Sequence, residues 1–120
     1  MMKSTYTKIL FTALLSLLAL SAHAFNLDFL KYSPAYYFTD QDWSIQKKAA
    51  LRALNKANDG TKISWKNPNT TAWGYVIPSH TTRIKGKFCR SLTIFNSAKS
   101  ITNQSTFEFC KLNGEWMAIS

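Results

Sequence analysis

At Gly60 the hydrophobic pattern changes period, and that switch restricts the chain to a helix followed by a sheet. Before it, Trp43, Ala50, Leu54 and Ala57 recur at helical steps of seven, four and three, with Lys47 lying along the stripe and Lys48, Arg52 and Lys56 facing outward. Thr39 or Asp40 suits the helix start, and Asp42 adds favourable charge near its positive end. Gly60, after Asn58-Asp59, suits a left-handed stop. Beyond it the alternation is strand-like: Ile63 and Trp65, then a turn at Asn67-Pro68-Asn69-Thr70, then Trp73, Tyr75 and Ile77. Further strand segments are expected over His80–Ile84, Lys87–Phe95, Ser105–Leu112 and Glu115–Ile119, with turns at Lys85-Gly86 and Asn113-Gly114. The predicted fold class is α+β: one N-terminal helix packed on a twisted antiparallel β-meander of about five strands, with one disulfide.

The first residues carry a different message. Lys3 and Lys8 precede an apolar run from Ile9 to Leu20, and Ala22-His23-Ala24 supplies small residues at a cleavage site. This order is that of a secretory signal peptide. Twelve helical residues rise only about 18 Å, too short for a hydrocarbon core of about 30 Å. The expected organisation is a signal peptide over 1–24, an aromatic-rich N-terminal arm over 25–38, and an α+β domain over 39–120. The arm holds Phe25, Phe29, Tyr32, Tyr36, Tyr37 and Phe38 around Pro34 without a clean period, and its expected role is to pack on the core, with an exposed aromatic surface as the alternative. No membrane span is expected after cleavage.

Export decides how the cysteines are read. In an oxidising compartment Cys89 and Cys110 should pair, whereas two Cys and His80, the one histidine beyond the leader, are poor material for a zinc site. Side-chain parity agrees. In the strand around Cys89, Phe88, Leu92 and Ile94 share one face and leave Cys89 with Lys87, Ser91 and Thr93; around Cys110, Phe107 and Phe109 share a face and leave Cys110 with Thr106 and Glu108. Both sulfurs thus lie on the more polar side, and a loop from Asn96 to Gln104 is expected to absorb any offset in register.

No metal or other cofactor is expected, and no catalytic residue is assigned. His80 follows Pro78-Ser79 at an expected turn, no nucleophile elbow surrounds it, and both cysteines are committed to the bridge. Asp40 and Asp42 are better explained by the helix start than as paired carboxylates of a hydrolase. Charge is the more informative signal. Losing Lys3 and Lys8 with the leader lowers the net charge only from +9 to +7, enough to attract acidic polymers. Arg83, Lys85, Lys87 and Arg90 form the densest basic cluster and are the candidate anion-binding residues. Trp65, Trp73 and Tyr75 either fill the core or offer stacking surfaces.

The series Gly60…Trp65-Lys66-Asn67, Gly74-Tyr75-Val76-Ile77-Pro78, Gly86…Cys89-Arg90, Cys110 and Gly114-Glu115-Trp116 resembles the C-terminal domain of the bacterial outer-membrane surface antigens related to the rickettsial surface antigen, over roughly residues 49–120. The resemblance implies a Gram-negative envelope protein without an established catalytic centre. Members commonly carry a lipidated N-terminal cysteine and a glycine-rich segment before this domain. Here the first Cys is Cys89 and the glycines are Gly60, Gly74, Gly86 and Gly114. The expected protein is therefore non-catalytic and exported, in the periplasm, at the outer membrane or outside the cell. Its expected partners are envelope components or another envelope protein, with nucleic acid disfavoured by export. The alternatives are a basic module binding anionic envelope polymers such as lipopolysaccharide and, third, a small secreted hydrolase.

Overall fold

A computed structural model describes residues 33–119. The expected leader (1–24) and the first part of the arm, residues 25–32, lie outside the described residues. After a turn of 3-10 helix at Pro34–Tyr37, helix α1 spans Asp40–Lys56. Strands β1 (Ile63–Lys66), β2 (Trp73–Ile84), β3 (Lys87–Ala98), β4 (Ile101–Leu112) and β5 (Glu115–Ala118) follow, each antiparallel to its neighbour in the order of the chain. The α+β meander is the expected fold, with changes in its partition. The segments expected as separate second and third strands are one continuous strand, β2, because a bulge at His80-Thr81 carries the ladder across what read as a turn.

The helix begins where expected. Thr39 and Asp42 form a reciprocal capping box: the Asp42 amide donates to Thr39 Oγ1 (3.1 Å) and the Thr39 amide to Asp42 Oδ2 (2.9 Å). Its buried face differs from the expected one. Asp42, Gln46, Ala49, Ala53 and Leu54 turn inward, whereas Trp43 is 46% exposed. Two polar side chains can be buried here because the β1–β2 loop supplies partners for Asp42 and β3 supplies one for Gln46, a fact absent from helical periodicity. The small side chains of Ala49 and Ala53 then let the helix lie close against Val76 and Leu92, both fully buried. From the arm, Pro34 is buried and the Phe38 ring packs edge-on against Trp43 (5.0 Å) and Trp65 (5.5 Å), while Tyr36 and Tyr37 stay exposed.

The helix also stops differently. It ends at Lys56 with Ala57 in an extended conformation, so Gly60 (φ 87°) is not its left-handed cap. Gly60 instead turns the chain onto the sheet, its amide donating to the Pro78 carbonyl at 2.8 Å.

The expected long loop between Asn96 and Gln104 is a two-residue turn, Lys99-Ser100, with both residues at positive φ (52° and 64°). This is the geometry that twists with the strands it joins. From the closing pair Ala98–Ile101 the register runs without a shift to Cys89–Cys110, so no offset needs absorbing. Counting in twos from a hydrogen-bonded closing pair puts the two cysteines at a non-hydrogen-bonded position, where opposed side chains are nearest. They form the expected disulfide, with S–S 2.04 Å.

Candidate functional site

Arg90 stands at the centre of the polar architecture. It lies on the helix-facing side of β3, opposite the bulge in β2, with a side chain 6% exposed. A bulge sets two residues against one; here it leaves His80 outside and turns Thr81 inward. All five guanidinium N–H groups find oxygen partners. Nε donates to Thr81 Oγ1 (2.8 Å), Nη1 to the carbonyls of Ala53 and Leu54 (both 2.9 Å), and Nη2 to the Ala57 carbonyl (2.7 Å) and Asp59 Oδ1 (2.9 Å). Ala53 and Leu54 belong to the last turn of α1 and Ala57 follows it, where a helix runs short of internal donors and carries partial negative charge. The Ala57 amide, at 3.3 Å from the Ala53 carbonyl, is the backbone donor there. Arg90 therefore caps the helix in place of a glycine. Thr81 donates to Asp59 through its hydroxyl (2.6 Å) and its amide (3.2 Å). Those bonds, followed by the Arg90 guanidinium, lower the Asp59 carboxyl from 3.8 to about 2.

The four candidate anion-binding cations consequently separate. Arg90 has no N–H to spare for an external anion. Arg83 and Lys87 flank the Lys85-Gly86 turn at the tip of the β2–β3 hairpin, and all three cations are exposed. The Arg83 guanidinium lies 4.0 Å from the centre of the Phe88 ring, a cation–π contact that leaves its edge open to solvent. A cleft of about 370 Å³ between this hairpin and the end of α1 is lined by Asn55, Asn58, Asp59, Thr81, Arg83 and Arg90.

At the other end of the helix a second buried network replaces what read as a simple charge effect. Asp42 is fully buried, and its Oδ1 accepts from Asn67 Nδ2 (2.8 Å) and Thr70 Oγ1 (2.6 Å). Burial alone would raise its pKa, but the bonds from Thr70, the Thr39 amide and Asn67 outweigh it and hold the carboxyl below its ordinary value. Asn67 also receives the Asn69 amide on Oδ1 (3.0 Å), and its own amide donates to the Ala72 carbonyl (2.8 Å), closing the β1–β2 loop over the helix start. Gln46 Nε2 donates to Asn96 Oδ1 (2.8 Å), tying the helix to β3. Periodicity passed over these residues because burying them makes sense only with both partners in view.

Other candidates resolve simply. His80 is the exposed bulge residue at φ 49°; its Nδ1 lies 3.1 Å from Ser79 Oγ, and no third group orients it among the described hydrogen bonds. Cys89, Cys110 and Glu108 stand close together, but sulfurs joined to one another supply no thiolate for a metal. The three ring candidates divide between faces. Trp65 is buried against the helix, with its indole against Gly74. Trp73 and Tyr75 lie on the outer face around Phe95, the Tyr75 ring stacked on it at 4.8 Å and Trp73 at 5.2 Å, with Lys62 over Tyr75 at 4.1 Å.

A disulfide-locked sheet with, among the described residues, a single covering helix, whose most connected polar groups all serve the scaffold, defines a small α+β domain. Comparison with curated proteins shows a similarity to bacterial surface antigens. The chain is 36% identical over 55 residues, 45% of its length, to the 17 kDa surface antigens of Rickettsia australis, Rickettsia parkeri and Rickettsia rickettsii. It spans little more than a third of these relatives, 35–36% of their length. No family model matches the chain, and no solved structure matches it. Among the described residues no helix is long and apolar enough to cross a membrane.

Proposed function

We propose that this surface-antigen-like protein is an exported, non-catalytic component of the bacterial envelope whose task is interaction. The observation that carries the reading is the amount of apolar surface left open. Among the described residues ten large apolar side chains, including Tyr36, Trp43, Leu51, Trp73, Phe107 and Met117, are more than a third exposed on a domain whose sheet is cross-linked by a disulfide. Where such side chains gather into a patch, as Trp73 does with Phe95 and Tyr75 on the outer face, they mark a surface suited to contact with partners. The reading is tested by fractionating producing cells and cross-linking the intact envelope. The processed chain should fractionate with the envelope and cross-link to an envelope component; recovery only from the cytosol would refute it.

A second reading rests on the hairpin tip. Lys85 sits in the two-residue turn with Arg83 and Lys87 flanking it, and the ion pair found among the described residues, Arg90 with Asp59, uses none of them. Such a tip suits phosphate-bearing envelope polymers. Replacing all three by Gln should weaken binding to lipopolysaccharide vesicles and flatten its salt dependence. Unchanged affinity would reject this surface.

A further inference from the structure

Strand β4 is twelve residues long, but β5 pairs only with its last part, Phe109–Leu112, and the Ile119 amide adds one bond to the Glu108 carbonyl (2.8 Å). Among the described residues, Ile101–Phe107 has β3 on one side and no strand on the other. The edge is exposed from Thr102 to Glu108. It also lacks the usual defences. Open edges are blunted by Lys, Pro or inward-pointing charge, yet every residue from Ser100 to Phe107 is uncharged in a chain of net charge +9. Thr102, Thr106 and Phe107 favour strands.

The ladder determines which backbone groups are free. With Ala98–Ile101 as the hydrogen-bonded closing pair, Ile101, Asn103, Ser105 and Phe107 direct their N–H and C=O groups to β3, and Thr102, Gln104, Thr106 and Glu108 direct theirs outward. The bond accepted by the Glu108 carbonyl follows this alternation. From this pattern we infer that the open edge of β4 pairs antiparallel with the same edge of a second copy of the chain, about a two-fold axis at Gln104. In that register Gln104 meets Gln104, Thr102 meets Thr106, and the three residues with free outward groups on each copy face one another. Every outward amide and carbonyl from Thr102 to Thr106 is then satisfied.

The side chains agree with the backbone. Thr102 opposite Thr106 sets two β-formers together on the outer face, Asn103 meets Ser105 on the helix side, and Ile101 meets Phe107, whose ring is 40% exposed in the single chain. The turn carrying Lys99 approaches Glu108 of the other copy, so opposite charges meet at each end. An axis at Asn103 would align fewer free groups. Moving the contact to the hairpin tip or the outer helix face would oppose cations of both copies. The uncharged edge is where two such basic molecules come together, forming a continuous ten-stranded sheet.

The test uses sedimentation of the whole processed protein, with Gln104→Lys and Gln104→Glu as variants, each setting like charges against each other on the axis. The wild type should show a reversible monomer–dimer equilibrium at concentrations up to about 1 mM. Each variant alone should raise the dissociation constant at least tenfold, and an equimolar mixture of the two should dimerise again, which misfolded variants would not do. Amide exchange supplies an independent reading: Thr102, Gln104 and Thr106 should gain protection as concentration rises, while Asn103 and Ser105 are protected throughout. A protein monomeric over the whole range, a dimer indifferent to both variants, or protection of the three amides independent of concentration would overturn the proposal. The last result would mean that the chain covers its own edge.

Discussion

Replacing Arg90 by Ala should cost this domain a large share of its stability, because the only other donor found at the helix end is the Ala57 amide, which reaches the Ala53 carbonyl at 3.3 Å. The substitution strips the carbonyls of Ala53, Leu54 and Ala57 of their partners at 2.7–2.9 Å, leaving Ala53 only the longer bond from the Ala57 amide. Ala53 and Leu54 are buried, at 0% and 2% exposure, so water does not readily replace the guanidinium there. A buried polar group left unpaired costs about 1–3 kcal/mol, and the orphaned Leu54 carbonyl with the lost cation at the negative end of the helix comes to about 3 kcal/mol. Arg90→Lys keeps the charge but offers one point in place of a planar fork, and should lose about 2 kcal/mol. The measurement is urea unfolding with the disulfide intact, comparing midpoints at constant slope. A loss below about 1 kcal/mol for Arg90→Ala, or equal losses for both variants, would refute the assignment of Arg90 as the helix cap.

Asp42→Asn puts an amide donor among groups that already donate, so it should cost about 2 kcal/mol by urea unfolding; an unchanged midpoint would exclude a buried Asp42 acceptor. Both Asp59 and Asp42 titrate below their ordinary value in the folded protein, so their stabilisation is complete above about pH 4 and is lost as pH falls, for Asp59 through about 2. Acid unfolding of Thr81→Val should show a weaker pH dependence in that window. Gly74→Ala would bring a methyl to 2.1 Å from the Phe95 carbonyl oxygen and 2.8 Å from Trp65 Nε1, so a loss of about 3 kcal/mol in thermal unfolding is expected. Reducing Cys89–Cys110, which closes a separation of 21 residues, should remove about 3 kcal/mol, with the mass gain of two hydrogens confirming the bridge.

Much of the scaffold was legible from local rules. The capping Thr39, the period change at Gly60 and the glycine turns at Gly86 and Gly114 are short-range effects, set by a few neighbouring residues. So was the bridge, because alternation places Cys89 and Cys110 on matching faces whatever else the sheet does. The tight turn at Lys99-Ser100 escaped notice because neither residue is one that favours positive φ; the long-range pairing of β3 with β4 imposes it. The roles of Arg90, Asp42 and Gln46 were illegible for a related reason.

A polar side chain in a one-dimensional pattern reads as solvent-facing, since burying it alone is unfavourable. Whether a carbonyl at position 53, an amide at 67 or a carboxylate at 59 will meet it depends on segments dozens of residues away. Local propensity and alternation thus determined the elements, their order and the sulfur link. Folding in three dimensions decided which charges face the solvent and which brace the helix, because only there do donors and acceptors distant along the chain come within bonding distance.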